Sequence, residues 1–216
     1  MKSIACFGLS LLLCTCAWAA EPTVSEDGFV SLFDGKTLNG WKANENAKTF
    51  QVKDGMIVVH GDRSHLYYVG PVNNHDFKNF HLRADVMTFP QANSGIFFHA
   101  NYTESGWPKT GVESQINNSH RDPRRTGSLW NIKDIREAPA KDNVWFTQEI
   151  IVQGAHIVVK VDGKVVVDYT MPGDISKEHK LPSKLSWLPH GMIALQGHDP
   201  NSKVYFKNIY IKVLPD

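Results

Sequence analysis

Two Asp-Gly pairs, each set between β-branched runs, constrain this chain more than any other feature. Val52-Lys53-Asp54-Gly55-Met56-Ile57-Val58-Val59 places one at the centre of a short hairpin, and Asp162-Gly163 joins the runs 156–161 and 165–170 in the same way. A tight two-residue hairpin turn needs positive φ, which Gly supplies without a Cβ clash and Asp tolerates. Alternation of apolar and polar residues predicts longer strands over 79–89, 144–153, 192–198 and 203–213. Helical periodicity is nearly absent, with one turn expected over 174–178, and the longest irregular stretches are 101–111 and 170–191. No repeat or low-complexity linker divides the chain. The expectation is an all-β domain, a two-sheet antiparallel sandwich of the jelly-roll kind with very little helix.

The first residues predict a compartment. Lys2 carries a positive charge, residues 4–13 are largely apolar, and Ala17-Trp18-Ala19 is a small-x-small cleavage signal. Such a run is too short to span a bilayer and reads as a signal peptide over residues 1–19, with secretion or a periplasmic location to follow. A lipoprotein alternative would cleave before Cys14 or Cys16, where Leu13 or Thr15 occupies a place that favours a small residue. All three cysteines (Cys6, Cys14, Cys16) lie in this leader, so the mature chain has no disulfide, cysteine nucleophile or cysteine metal ligand. Residues 20–27 form a short lead-in to a single domain over 28–214. Lys2 is the only charged residue of the leader, so the formal charge of +1 falls to zero on its removal. That balance gives no support to nucleic acid or an anionic membrane as partner. The basic cluster at 120–125 reads first as a solvated loop with local ion pairs.

Strand alternation also sorts the polar residues. In Ser94-Gly95-Ile96-Phe97-Phe98-His99 the odd positions share one face, and in Val112-Glu113-Ser114-Gln115-Ile116-Asn117 so do Glu113, Gln115 and Asn117. In 192–198, Ile193 and Leu195 point to the core, which turns Gln196 and His198 outward. In 144–152, Val144, Phe146, Ile150 and Val152 are expected inward, with Trp145, Thr147 and Glu149 outward. His99, Glu113, Gln115, Asn117, Gln196 and His198 would then line one concave face, provided their strands are neighbours. A row of carboxylate, amide and imidazole groups is suited to binding sugar hydroxyls. Glu113 is the sharpest choice, as general base, bidentate hydroxyl acceptor or metal ligand. His99 and His198 are candidate bases, acids or ligands. With His120 and Glu113 they permit a metal site, although no ligand-spacing motif is present. Trp107 and Trp130 are candidate platforms for stacking on a pyranose, and packing accounts for such rings equally well.

Several chemistries are missing their signatures. There is no Gly-x-Ser-x-Gly elbow, phosphate-binding Gly-rich loop, dinucleotide fingerprint or His-Glu-x-x-His. An ordinary glycosidase needs a second carboxyl at roughly 5 Å for retention or 6.5–9.5 Å for inversion. Next to Glu113 on its own strand face stand only the amides Gln115 and Asn117.

The chain resembles the 3-keto-disaccharide hydrolase domain family. The resemblance rests on Leu32-Phe33-Asp34-Gly35-Lys36-Thr37-Leu38-Asn39-Gly40-Trp41, then Asn93-Ser94-Gly95-Ile96-Phe97-Phe98, Gly111-Val112-Glu113-Ser114-Gln115-Ile116 and Gly191-Met192-Ile193-Ala194-Leu195-Gln196-Gly197-His198. It implies a concanavalin A-like jelly-roll sandwich acting on glycosides already oxidised at C3. The C3 ketone acidifies the C2 proton, so the route is proton abstraction, β-elimination of the C1 substituent and hydration of the glucal. It needs a base, an enolate-stabilising group and an acid for the leaving oxygen, and the resemblance allows a divalent metal ion as the stabiliser. Glu113 with His99 or His198 would supply base and acid, and Gln115, Asn117, Gln196, Trp107 and Trp130 would hold a carbohydrate substrate. Many relatives carry Arg at the position of His99. The alternatives are a non-catalytic carbohydrate-binding module of the same fold, or an ordinary glycoside hydrolase if folding brought Asp85, Asp122 or Glu149 near Glu113.

Overall fold

The computed structural model describes residues 24–25 and 27–216; the expected leader, with its three cysteines, lies outside them. Fifteen strands follow in chain order: β1 (Val30–Ser31), β2 (Trp41–Ala43), β3 (Phe50–Lys53), β4 (Met56–His60), β5 (Ser64–Tyr68), β6 (Phe80–Thr88), β7 (Ser94–Ala100), β8 (Val112–Ile116), β9 (Phe146–Gln153), β10 (His156–Val161), β11 (Lys164–Thr170), β12 (His179–Lys180), β13 (Ser186–Trp187), β14 (Met192–Gly197) and β15 (Lys203–Val213). An eight-stranded sheet runs β11-β10-β9-β6-β15-β4-β3, with β1 also pairing β15. A five-stranded sheet runs β2-β5-β14-β7-β8, and β12 and β13 form a separate ribbon. All pairings between these strands are antiparallel. The fold is a jelly-roll β-sandwich. No helix among the described residues is long and apolar enough to cross a membrane.

Both Asp-Gly turns form as expected: Asp54 and Gly55 take φ of 51° and 77°, Asp162 and Gly163 of 48° and 75°. Period-two burial then builds the core. Phe80, Leu82, Ala84 and Val86 of β6, with Val204, Phe206, Ile209 and Ile211 of β15, face Ile96 and Phe98 of β7 and Ile193 and Leu195 of β14. Each of these side chains larger than alanine contributes about 1.5–3 kcal/mol on burial, which lets the described domain cohere without disulfides. One polar link crosses the sandwich, where the Gln148 amide donates to Ser114 Oγ at 2.8 Å.

Two expectations need correction. Val144 is exposed rather than inward, because β9 begins only at Phe146. The one turn expected over 174–178 does form, closed by Lys177 N–H to the Asp174 carbonyl, with Asp174 Oδ1 accepting the Ser176 N–H. The stretch 170–191 is less irregular than predicted. It holds the β12–β13 ribbon and seats Trp187 fully in the core, its indole N–H on the Ile175 carbonyl at 3.0 Å.

The third correction bears on function. β14 pairs Ala194 with Phe97 but Met192 with Ala100, so β7 carries one extra residue there. This is a β-bulge, with Phe98 and His99 opposite Ile193, and His99 adopts φ 52°. Alternation breaks at that point. Phe97 and Ala100 join one apolar cluster on the open face. His99 instead turns inward among Phe80, Phe98 and Trp187, with Nε2 on the Lys78 carbonyl at 2.9 Å.

Candidate active site

The outer face of the five-stranded sheet carries two transverse rows. Cross-strand register places Tyr67, Ala194, Phe97 and Glu113 side by side. In the next row, His65 pairs with Gln196 and Gly95 with Gln115, and Gln196 lies one step beyond the Leu195–Ile96 pair that brings it beside Gly95. Loops wall this face into a cleft of about 320 Å³ lined by Glu113, Gln115, Gln196, His198, Asn93, Phe97, Trp107, Trp130 and Asp122, among others.

Glu113 occupies the floor at 7% exposure. Its carboxyl folds over Gly95, where a Cβ would stand 2.5 Å from Oε1, and Oε1 accepts from Gln196 Nε2 at 3.1 Å. Burial pushes the Glu113 carboxyl up to about 8; the Gln196 hydrogen bond pulls the other way, Asp122 adds to the rise and Arg124 opposes it. A carboxyl poised near neutrality can both take and give a proton.

The amides beside it are half satisfied. Gln115 Nε2 donates to Asn93 Oδ1 at 2.7 Å. The carbonyl oxygens of Gln115 and Gln196 are buried without a hydrogen-bond partner. Such groups cost free energy unless a ligand or water supplies a donor, and sugar hydroxyls are suited to it.

The walls come from three loops. The 126–130 segment pairs against the free edge of β8, with Gln115 N–H to Ser128 O, Gly127 N–H to Gln115 O and Trp130 N–H to Glu113 O, which sets Trp130 at the rim under the Arg124 guanidinium. Gly106, at φ 80°, donates its N–H to Glu45 Oε1 and holds Trp107 edge-on to His65 and beside His198. Arg63 lies over the Trp107 ring and pairs with Glu45. Behind Gln196, His198 Nδ1 meets Asp199 Oδ2 at 2.7 Å.

Of the residues chosen from sequence, Glu113, Gln115, Gln196, His198, Trp107 and Trp130 meet in the cleft. His99 does not, for the bulge sends it through the sheet, and burial depresses its imidazole to about 4. Asn117 is fully engaged elsewhere. Its Nδ2 donates to the Asp122 and Arg124 carbonyls, and its Oδ1 accepts from His120 N–H and Arg125, so it clamps the 118–126 loop rather than offering groups to a ligand. Asp122 lines the cleft, bridged to Arg124, whereas Asp85 and Glu149 lie on the outer face of the other sheet with Thr147 and His81.

The metal candidates do not converge. Among the described residues no group of three or more His, Cys, Asp and Glu side chains is placed to hold a metal ion. His99 lies behind the sheet, His120 turns Nδ1 to the Asp122 N–H, and His198 turns Nδ1 to Asp199. These residues do not fit a divalent-cation site.

His65 escaped the sequence reading. It is wholly buried between Phe97 and Trp107, neither ring nitrogen has a partner, and burial holds its imidazole down to about 3. The alternation of His65 and Tyr67 with Leu66 and Tyr68 could have revealed it.

A family model described as the 3-keto-alpha-glucoside-1,2-lyase-like domain matches residues 28–212. The chain belongs to that family. A Bacteroides thetaiotaomicron protein named 3-keto-disaccharide hydrolase is 26% identical, the match covering 88% of this chain and 80% of that protein. A candidate glycosyl hydrolase of Parabacteroides distasonis superposes with TM-score 0.73 at 23% identity, over 90% of this chain and 99% of that one. The carbohydrate-binding module CBM66 of Bacillus subtilis shares the fold at TM-score 0.57 and 12% identity, over 80% and 95% of the two chains. Family membership places the chain among carbohydrate-active proteins. In the family segment around Ser94–Ala100, Gly95 and Phe97 face the cleft and His99 does not.

Proposed function

We propose that this protein cleaves glycosides oxidised at C3, by C2 proton abstraction, β-elimination and hydration of the resulting glucal. The observation that supports it is Glu113, a buried carboxyl raised to about 8 on the floor of a sugar-sized, aromatic-rimmed cleft. A carboxylate with so high a pKa is a stronger base than an exposed one, and the C2 hydrogen beside a ketone is the proton it suits. Abstraction leaves the C2–H electron pair in an enolate. Its collapse restores the C3 ketone, forms C1=C2 and expels the C1 oxygen. The Gln196 and Gln115 amide nitrogens each commit one N–H, to Glu113 and to Asn93, and a second N–H on each would offset the developing enolate charge. The orphan amide oxygens take hydroxyl donors, and Trp107 and Trp130 cover the ring faces. The leader-like segment at 1–19 supports placing this activity outside the cytoplasm.

The test is to incubate the protein with 3-keto-trehalose in D₂O and follow C2 exchange and sugar release by NMR. Cleavage with deuterium at C2, both lost in Glu113→Gln, is the expected result. Asp122 in the same cleft favours a second reading, two-carboxylate hydrolysis of an unoxidised glycoside. That reading expects release without C2 exchange and equal sensitivity to Asp122→Asn. Saturable sugar binding with no product would count against both.

A further inference from the structure

The elimination proposed above lacks one part, a proton for the departing oxygen, and the structure offers a built donor. His198 follows the last residue of β14, two positions after Gln196, and lines the cleft with Glu113. Its Nδ1 is committed to Asp199 Oδ2 at 2.7 Å. A carboxylate can only accept, so Nδ1 carries the hydrogen, and Nε2 is left for another partner.

Asp199 is in turn fixed from several sides. Oδ1 accepts the Asn201 N–H at 2.8 Å, and Oδ2 accepts the Ser202 hydroxyl at 3.0 Å. Ser202 Oγ accepts the Asn93 N–H at 3.0 Å, and Asn93 Oδ1 holds the Gln115 amide. One hydrogen-bonded chain therefore connects the carboxylate behind His198 to the substrate-facing amide beside Glu113. Burial acts to raise the Asp199 carboxyl, yet these bonds outweigh it and keep it below the ordinary carboxylate range. Trp107 packs against the His198 ring on one side and His120 on another, with centroids at 5.2 and 5.8 Å, so the imidazole has little freedom to turn.

We infer that His198 is the general acid of the reaction and that Asp199 is its positioning residue. The assignment rests on the 3-keto-glycoside reading. Glu113 takes the C2 proton. As the C1–O bond breaks, its electron pair leaves on the glycosidic oxygen, which receives the proton from Nε2 of the His198 imidazolium. One proton has been taken from C2 and one delivered to the leaving group, and no redox partner is needed. Asp199 keeps Nδ1–H directed to itself and stabilises the cation before transfer, without contacting the substrate.

Leaving-group dependence separates this role from a structural one. A sugar alkoxide needs a proton to depart, whereas 4-nitrophenolate does not. His198→Gln and Asp199→Asn should each lower turnover of 3-keto-trehalose by about 10²-fold or more, the usual worth of a general acid. On 4-nitrophenyl 3-keto-glucoside the same variants should lose less than about fivefold, and both should still exchange the C2 hydrogen in D₂O. Equal losses on the two substrates, or unchanged turnover of 3-keto-trehalose, would overturn the assignment. Imidazole ¹⁵N shifts of the wild type give a second check, since neutral His198 must be the Nδ1–H tautomer and an Nε2–H tautomer would sink the pairing. A wild type that neither exchanges nor cleaves any keto-glycoside would instead remove the reading beneath it, and the assignment with it.

Discussion

Glu113 rests over Gly95, its Oε1 only 2.5 Å from where a Cβ on residue 95 would stand. The Glu113 carboxyl and the missing side chain form one unit: absence at 95 lets the carboxyl cross its own row and reach Gln196. Gly95 has an ordinary extended backbone, so only the space matters. Gly95→Ala should cost about 1–3 kcal/mol by crowding and displace the carboxyl. Activity on a 3-keto-glycoside should fall by about 10²-fold, as misplacing a catalytic group does. Restoring part of it with Gly95→Ala/Glu113→Asp, whose shorter arm clears the Cβ, would confirm the cause. An alanine variant with full kcat would refute it.

The raised carboxyl carries a stability signature. An exposed glutamate ionises near 4.5, whereas burial raises Glu113 to about 8 when folded, so the folded state holds its proton through that window. Its contribution to stability is therefore full below pH 4.5, declines as pH rises and levels off above 8. Glu113→Gln removes the decline. The variant should match the wild type near pH 4 and exceed it by about 3 kcal/mol at pH 7. Urea unfolding at both pH values measures the difference, and a variant no more stable at pH 7 than at pH 4, relative to wild type, would contradict the burial of the charge.

His65 bears the opposite sign. Burial lowers it from 6.5 to about 3, so the unfolded chain takes up a proton there while the folded one does not. Stability from this group is complete above pH 6.5 and drains away as the pH drops toward 3, about 2 kcal/mol by pH 5. His65→Gln should flatten that part of the acid limb. Long-range ¹H–¹⁵N spectra at pH 5 should show both His65 and His99 neutral; a protonated His65 there would mean that the ring is reached by water.

Removing Asn117 should act at a distance from the chemistry. Asn117→Ala deletes the clamp on the 118–126 loop, with an expected loss of about 2–4 kcal/mol at about 1 kcal/mol per hydrogen bond. Because that loop carries Asp122, KM should rise more than kcat falls. Crystals of the variant with an unmoved loop would assign Asn117 no such function.

His99→Asn should leave turnover within about threefold of wild type, because the ring faces the core and Asn tolerates φ 52°. Losing the aromatic contacts with Phe80 and Trp187 should cost about 1–3 kcal/mol in stability. Steady-state kinetics beside a melting curve decides this, and abolished turnover in a folded variant would return His99 to the mechanism.

Much of this architecture was legible in the chain because two-residue alternation and Asp-Gly turns are local signals. Strands over Phe80–Thr88, Phe146–Gln153, Met192–Gly197 and Lys203–Val213 follow the expected bounds to within two residues. Glu113, Gln115 and Gln196 could be placed on one face for the same reason. The failures have a common physical source in tertiary geometry. His99 sits after an inserted residue that no alternation rule detects. Asn117 lies just beyond its strand, where a loop folds back to consume its amide. His65 belongs to β5, only five residues long and buried at every position, so its alternation is a weak signal. Asp199 acts through the ring of its neighbour, a relationship visible only once His198 has a direction.

The extra residue in β7 has a practical corollary for anyone reshaping the specificity of this cleft. A randomised library laid out on every second residue of that strand would put positions 95 and 97 against the ligand and position 99 inside the hydrocarbon interior. Clones carrying β-branched or charged residues at 99, which neither φ 52° nor the apolar surroundings admit, would be lost to misfolding and scored as inactive. A screen designed by parity would then record a false determinant of substrate choice at the one position where the strand has changed phase.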